Sequence, residues 1–150
     1  IDEFGLDHGS VCLEITESVV VDDIEATRIT LNGLKQAGVR IAIDDFGTGY
    51  SALSHLKSLP VDTLKIDKGF VRELGSDPGD LAIVRAIIAL AEAFGLELVA
   101  EGVETDAAAL TLLRHGCHRA QGFLLSRPIP GDAMESLFAE GRIPVSFSKG

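Results

Sequence analysis

The stretch RIAIDDFGTGYSAL, residues 40–53, sets two adjacent carboxylates, Asp44 and Asp45, at the end of an apolar run and directly before a glycine-rich loop. Consecutive strand residues face opposite sides of a sheet, so two neighbours reach one site only if the chain leaves the strand at the second of them. Gly47 and Gly49 permit such a break. Adjacent carboxylates suit Mg²⁺ or Mn²⁺, which prefer oxygen ligands. One carboxylate bridging two ions about 3.5–4 Å apart is an arrangement used in phosphoryl chemistry. Taken alone, the pair reads equally well as a solvated acidic turn or a cap for the helix that follows.

Other strand ends change the balance. Glu14 in VCLEITES is flanked by Leu13 and Ile15, and an ionised carboxylate there needs a partner. Lys65 lies between Leu64 and Ile66 in TLKID, and Glu101 follows LVA with Glu104 three residues on. A structural ion-pair cluster around the lysine is one account. A metal site is the better one, because several carboxylates around a single lysine leave negative charge unpaired; Lys65 is then expected to be free for a water or a phosphate oxygen. His8, His55, His115 and His118 follow none of these strands and read as surface or connection residues. Ser51 and Ser54 lack a placed histidine and acid, and the loop glycines lack the lysine of a P-loop. Tyr50 reads as loop packing.

The elements that must position these side chains alternate regularly. VCLEITES, RIAIDDFG, DTLKIDK, LELVAEGVE and RAQGFLLSRPI read as strands. Between and after them, DDIEATRITLNGLKQAG, SALSHLKSLP, DLAIVRAIIALAEAFG, DAAALTLLRHG and GDAMESLFAEG read as helices. Asp22 or Asp23 caps the first helix and Gly38 closes it; Leu81, Val84, Ile88 and Ala91 form the inner stripe of the third, which Gly95 stops. Leu31, Leu34, Ile87, Leu110 and Leu113 are expected to pack helices on the sheet. Such β-α alternation means parallel strands with helical crossovers. An open nucleotide-binding sheet would carry a glycine-rich turn after its first strand, which VCLEITES lacks. Polar residues at successive strand ends (Glu14, Asp44, Lys65, Glu101, Gln121) instead point to the mouth of a (β/α)8 barrel. The expected architecture is α/β: a partial (β/α)8 TIM barrel of about five C-terminal β-α units, with its early strands absent.

Composition narrows the partners. The 150 residues carry a net charge of −10 and are 46% hydrophobic, a globular composition that disfavours a nucleic-acid duplex or an anionic membrane as partner. A phosphate ligand remains compatible, because bound divalent ions invert the local charge logic. Cys12 and Cys117 fit no metal or redox spacing and read as small core residues of a protein in a reducing compartment. The longest apolar run, AIVRAIIALAEAF, is too short and too charged for a membrane span, and no signal-peptide pattern opens the chain. The first residue is Ile1 and the only methionine is Met134, so an upstream portion of the same protein is expected.

In order and spacing, EITES, DDFGTGYS, LKID, AEGVE and AQGF resemble the EAL-domain cyclic di-GMP phosphodiesterases, over about residues 11–130. The resemblance implies one partial EAL domain spanning residues 1–150, with a loose tail at 142–150. It implies a TIM barrel that hydrolyses cyclic di-GMP to pGpG with two Mg²⁺ or Mn²⁺ ions. Glu14 would ligate the first metal, Asp44 would bridge both, and Asp45 and Glu101 would bind the second. Glu101 would also help deprotonate the attacking water, and Lys65 would contact that water or the scissile phosphate. Glu104 would support the site from behind the metal ligands, and Gln121 would sit near the metals. Glu17 would anchor the loop Phe46, Gly47, Thr48, Gly49, Tyr50 and Ser51, which in this family couples metal binding, substrate binding and homodimer contacts. A cytoplasmic location, or the cytoplasmic part of a membrane-bound parent with upstream regulatory domains, follows from the same resemblance.

The family's name-giving EAL segment, whose glutamate is a metal ligand, and a later metal-binding asparagine both lie outside these residues. The parent is therefore expected to be the phosphodiesterase, and the isolated chain either inactive or a module that binds cyclic di-GMP or a protein without turnover. An unrelated metal-dependent barrel, such as an enolase-like lyase, fits the linked motifs poorly. A partial barrel leaves apolar strand edges and helix faces uncovered. The isolated chain is expected to self-associate or unfold readily in sedimentation and thermal-melting experiments; a sharp cooperative melt from a monomer would count against this.

Overall fold

A computed structural model describes residues 1–18, 23–49, 56–74 and 77–141. Two short 3-10 turns, Asp2–Phe4 and His8–Ser10, precede strand β1 (Cys12–Thr16) and helix α1 (Ile24–Gln36). Strand β2 (Arg40–Phe46) follows, then β3 (Thr63–Ile66), a short helix α2 (Lys68–Arg72) and the long helix α3 (Pro78–Phe94). Strand β4 (Glu97–Ala100), α4 (Asp106–Arg114) and α5 (Gly131–Glu140) complete the described elements. The strands form one parallel sheet in the order β1-β2-β3-β4. Parallel neighbours joined by helical crossovers are the β-α repeat of a barrel, and the fold is α/β with part of a (β/α)8 barrel.

Local chemistry sets the boundaries. Asp23 caps α1 by accepting from the Ala26 N–H at 3.0 Å, and Thr105 does the same for α4 at Ala108. Asp77 and Pro78 open α3, and Gly95, left-handed at φ 67°, closes it. The expected strand DTLKIDK is shorter than read: Asp67 accepts from the Gly69 N–H at 2.8 Å and starts α2, a helix not foreseen in the sequence.

Register divides the sheet into two unlike faces. One carries Ile15, Ile41, Ile43, Leu64, Ile66 and Ala100 and packs with Leu31, Val84, Ile88, Ala91 and Leu112 of the helices. Ile41, Ile43, Leu64 and Ile66 are 0% exposed. The opposite face carries Glu14, Arg40, Ala42, Asp44, Thr63, Lys65, Glu97 and Val99. At the N-terminal end of the strands, Glu97 accepts from Arg40 and Arg119, which hold its carboxyl below the usual carboxylate range. At the C-terminal end stand the acids singled out in the sequence.

Some expectations are corrected. RAQGFLLSRPI contributes only a single bridge, Ala120 to Ala100, and then turns. Gly122 presses so closely on Val103 that an added Cβ would lie 2.2 Å from its carbonyl oxygen, and Leu124 N–H bonds to that oxygen at 3.0 Å. The chain is thus held by a turn and not by a ladder. Helix α4 buries Ala108 and Leu112, which lie four apart on the face that joins the core, and leaves Leu110 and Leu113 on the exposed side. Cys12 is exposed, lying on a strand with only one pairing neighbour among the described residues, whereas Cys117 is buried. The helix SALSHLKSLP up to residue 55 and the tail 142–150 lie outside the described residues.

Ile43→Ala should lower unfolding free energy by about 2–5 kcal/mol. Leu13→Ala, at a side chain 40% exposed on β1, should cost under about 1 kcal/mol. Urea titrations of both variants measure the contrast; equal losses would mean that β1 is not the less covered strand of the described sheet.

Candidate metal and phosphodiester site

Lys65 is the centre of the arrangement. It stands on β3, 6% exposed, between Leu64 and Ile66, whose side chains point the other way. Its ammonium donates to Glu14 of β1 at 2.7 Å and lies 3.1 Å from Asp44 and 2.6 Å from Glu101. Burial opposes the charge on Lys65, but bonds to Glu101, Glu14 and Asp44 outweigh it and raise its pKa well above the ordinary lysine value. The ion-pair cluster weighed in the sequence therefore exists, and Lys65 is engaged by three carboxylates rather than free. One cation against these three acids still leaves two negative charges over (3 − 1).

The backbone solves the problem of the adjacent aspartates. Pairing between β2 and β3 shifts register between Ile43 and Phe46, and Asp45 adopts φ 53°, the one positive φ among described non-glycine residues. This bulge turns the second aspartate back to the side of the first. Asp44, Asp45 and Glu101 each offer an oxygen, and these lie within 4.8 Å of one another. Glu101 is brought in by its own N–H, which donates to the Ile66 carbonyl at 3.2 Å. Glu14 meets the group through Lys65 and is not among those three residues.

Asp67 was missed in the sequence. Burial, a hydrogen bond with Asp67 and the charge of Asp44 push the Asp45 carboxyl up from its usual value. The signal was present in LKID, an acid two residues beyond Lys65 at a strand end, but it reads first as a helix cap, which it also is. The remaining sequence candidates are placed as follows. Glu17 is buried and accepts from the N–H groups of Gly47 and Gly49 at 3.0 and 3.1 Å, tying β1 to the glycine loop. A Cβ on Gly49 would come within 2.8 Å of that carboxylate. Phe46 is buried and Thr48 exposed, while Tyr50 and Ser51 lie outside the described residues. Glu104 pairs with Arg72 at 3.3 Å, apart from the acidic group. Gln121 lines a cavity shared with Glu101, its backbone fixed by bonds to Ala100 and Val103. His8 bonds to Asp2 and the Ala37 carbonyl, and His115 to the Thr111 carbonyl, in keeping with roles away from the site.

Three clustered carboxylate oxygens with surplus negative charge are a hard-ligand set that fits a divalent ion. A parallel β-α sheet with such a set at its strand ends is the arrangement of a barrel mouth. The model of the EAL domain matches residues 1–128, and the chain belongs to that family. The EAL domain of DcpA from Mycobacterium smegmatis superposes with a TM-score of 0.90 and 76% identity, over 95% of this chain and 64% of that one. BlrP1 of Klebsiella pneumoniae, solved as a manganese and cyclic di-GMP complex, gives a TM-score of 0.78 and 40% identity over 83% of this chain and 32% of its own. MucR of Pseudomonas aeruginosa, a bifunctional diguanylate cyclase and cyclic di-GMP phosphodiesterase, is 50% identical over 129 residues, 86% of this chain and 19% of that protein. The chain spans about a quarter of the length of the first curated relatives it matches, 23% in each of the first three. No helix among the described residues is long and apolar enough to cross a membrane.

Lys65→Met removes the one charge that three carboxylates share and should destabilise the chain by about 3 kcal/mol. Mn²⁺ should raise the melting temperature of this variant more than that of the unsubstituted chain. Differential scanning calorimetry reads both; an unchanged midpoint in the variant would sink the central place given to Lys65.

Proposed function

We propose that the chain is the site-bearing part of a larger EAL domain that hydrolyses cyclic di-GMP to pGpG with two divalent cations, Mg²⁺ or Mn²⁺. The observation that carries this reading is the gathering of Asp44, Asp45 and Glu101 within 4.8 Å beside a buried lysine. Asp44, which pairs with Lys65 and shares the three-acid group with Asp45 and Glu101, would be the residue common to both ions. Asp45 and Glu101 would hold the second ion and Glu14 the first. When bound, the ions lower the pKa of a water and neutralise charge on the phosphate oxygens.

The chain's own residues supply the rest. Glu101, 16% exposed at its side chain, is a carboxylate that accepts the proton of the attacking water. Lys65, held protonated by its neighbours, would donate to a phosphate oxygen or to that water once bound ions draw Glu14, Asp44 or Glu101 away from it. Asp67 steadies Asp45, and Glu104, paired with Arg72, holds the turn after β4. Glu17 fixes the glycine loop, through which homodimer contacts could tune the ligands at Asp44 and Asp45. Upstream regulatory domains and a cytoplasmic location complete the proposal.

For the isolated chain a second reading has its own support. Glu14 is committed to Lys65 and lies outside the three-acid group, so the first ion has little to hold it here. Alone, the chain would bind cyclic di-GMP without turnover.

Incubation of cyclic di-GMP and Mn²⁺ with the full-length protein that carries this chain should yield pGpG by chromatography, and with the isolated chain none. Chelation should abolish turnover, and Glu101→Gln should lower it by about 10²–10⁴-fold. A folded full-length protein that makes no pGpG, or keeps its rate in Glu101→Gln, would overturn the assignment.

A further inference from the structure

The face that bears Lys65 carries a second ion cluster at the opposite end of the strands. Thr63 and Glu97, the first residues of β3 and β4, stand opposite each other in register, and Arg40 opens β2 on the same face. Arg40 donates to the Thr63 hydroxyl at 3.4 Å and to the Glu97 carboxylate, and Arg119 donates to the same Glu97 oxygen from beyond the sheet. Two cations share one acid here, the reverse of the group around Lys65. All three charged side chains are more than a third exposed, and ion pairs in that setting add little to stability. What sets Arg119 apart is its place in the chain.

Arg119 leads into the segment that should continue the sheet, and that segment is thinly held. Its bridge to β4, Ala120 to Ala100, consists of two bonds: the Ala100 N–H donates to the Arg119 carbonyl at 3.0 Å, and the Gln121 N–H donates to the Ala100 carbonyl at 2.8 Å. Glu101 follows Ala100, so these bonds flank the peptide that carries it. Glu101 and Gln121 border one cavity of about 970 Å³, whose wall includes Leu137 and Phe138 of α5, and the register of 119–121 sets where both stand in it. Two backbone bonds specify register weakly; a charged pair at Glu97, three residues before the bridge on β4, penalises a slip. Resting on the reading of Glu101 as a metal ligand, we propose that Arg119 is a positioning residue for this site. Through Glu97 it pins residues 119–121 against β4 and so holds the Glu101 carboxylate within reach of Asp44 and Asp45. Arg40 reaches the same oxygen from β2, across β3, and ties strands already paired in the sheet.

Hydrogen exchange on the full-length protein without added metal reads the clamp directly. In Arg119→Met the amides of Ala100, Val103 and Gln121 should exchange about tenfold faster or more, and those of β2 and β3 should be unchanged. Arg119→Lys should recover most of that protection, because one bond to one oxygen is within reach of an ammonium. Mn²⁺ affinity is read by calorimetry, in the binding that Glu101→Gln removes; Arg119→Met should weaken it by about fivefold or more. Arg40→Met should leave both readouts within about twofold of the parent. Glu97→Ala should match Arg119→Met, and the double variant should lose no more than either single one. Both arginines are partly exposed, so the variants should keep the parent melting temperature, which the same samples report. Undiminished protection at the three amides in Arg119→Met would overturn the clamp. Lost protection with unchanged Mn²⁺ affinity would rule out its hold on Glu101, as would equal effects in Arg40→Met and Arg119→Met. A parent protein without Glu101-dependent Mn²⁺ binding would overturn the ligand reading itself, a result distinct from intact binding indifferent to residue 119.

Discussion

A lysine ammonium in the middle of a parallel sheet constrains everything around it. Lys65 is flanked along its strand by Leu64 and Ile66, which are wholly buried on the helix-packed face. Its own side must therefore provide compensation for a desolvated charge, and three acids do so from three places in the chain. Asp44 comes from the adjacent strand and Glu101 from the end of the strand on the other side. Glu14 must reach from β1 across β2, and the residue opposite it in register is the small Ala42. A larger side chain at 42 would fill the space that contact crosses. The ion cluster thus ties together strands that are not neighbours and aligns the strand ends that make the mouth.

Over-compensation is what turns a structural cluster into a site. A buried lysine paired with one carboxylate would be neutral and inert. Here three carboxylates share it, and the β2 bulge delivers a fourth, Asp45, to the same side. A non-glycine residue at φ 53° costs on the order of 1 kcal/mol, and a second aspartate beside the first adds repulsion. Folding alone supplies no reason to accept either cost. The Asp45 carboxyl is pushed up from its usual value by burial and by Asp67 and Asp44, all of which disfavour a charge that a divalent ion would favour.

Those parts of the fold governed by short-range rules were legible in the sequence. The cap at Asp23, the stop at Gly95 and the buried stripe of α3 follow from side-chain chemistry at adjacent positions, and the structure contains them. A departure from regular strand geometry at Asp45 was legible too, because two adjacent acids cannot otherwise face one way; that it is a bulge within β2 and not the strand's end was not. What stayed hidden depends on distant partners. RAQGFLLSRPI has strand composition, yet Gly122 meets the Val103 backbone and the pairing stops after Ala120. Asp67 reads as a cap until β2 is laid beside it and Asp45 turns toward it. Lys65 could be inferred to need acids, but which acids it holds depends on the spacing of β1 across β2.

Electrostatics then decide how the two ends of the cavity divide their work. A chain of net charge −10 repels a dianionic dinucleotide at long range, so attraction has to be local. At the acidic end it requires divalent ions, since the carboxylates there outnumber the lysine. At the other end Glu104 pairs with Arg72, and the Arg127 guanidinium lies over the Phe123 ring. A ligand suited to both ends must combine phosphates with a flat ring bearing acceptors. An inorganic phosphate would meet only the metal end, and an apolar molecule only the wall formed with α5. The acidic end and the apolar wall thus make unlike demands, and a ligand that spans the cavity would have to meet both.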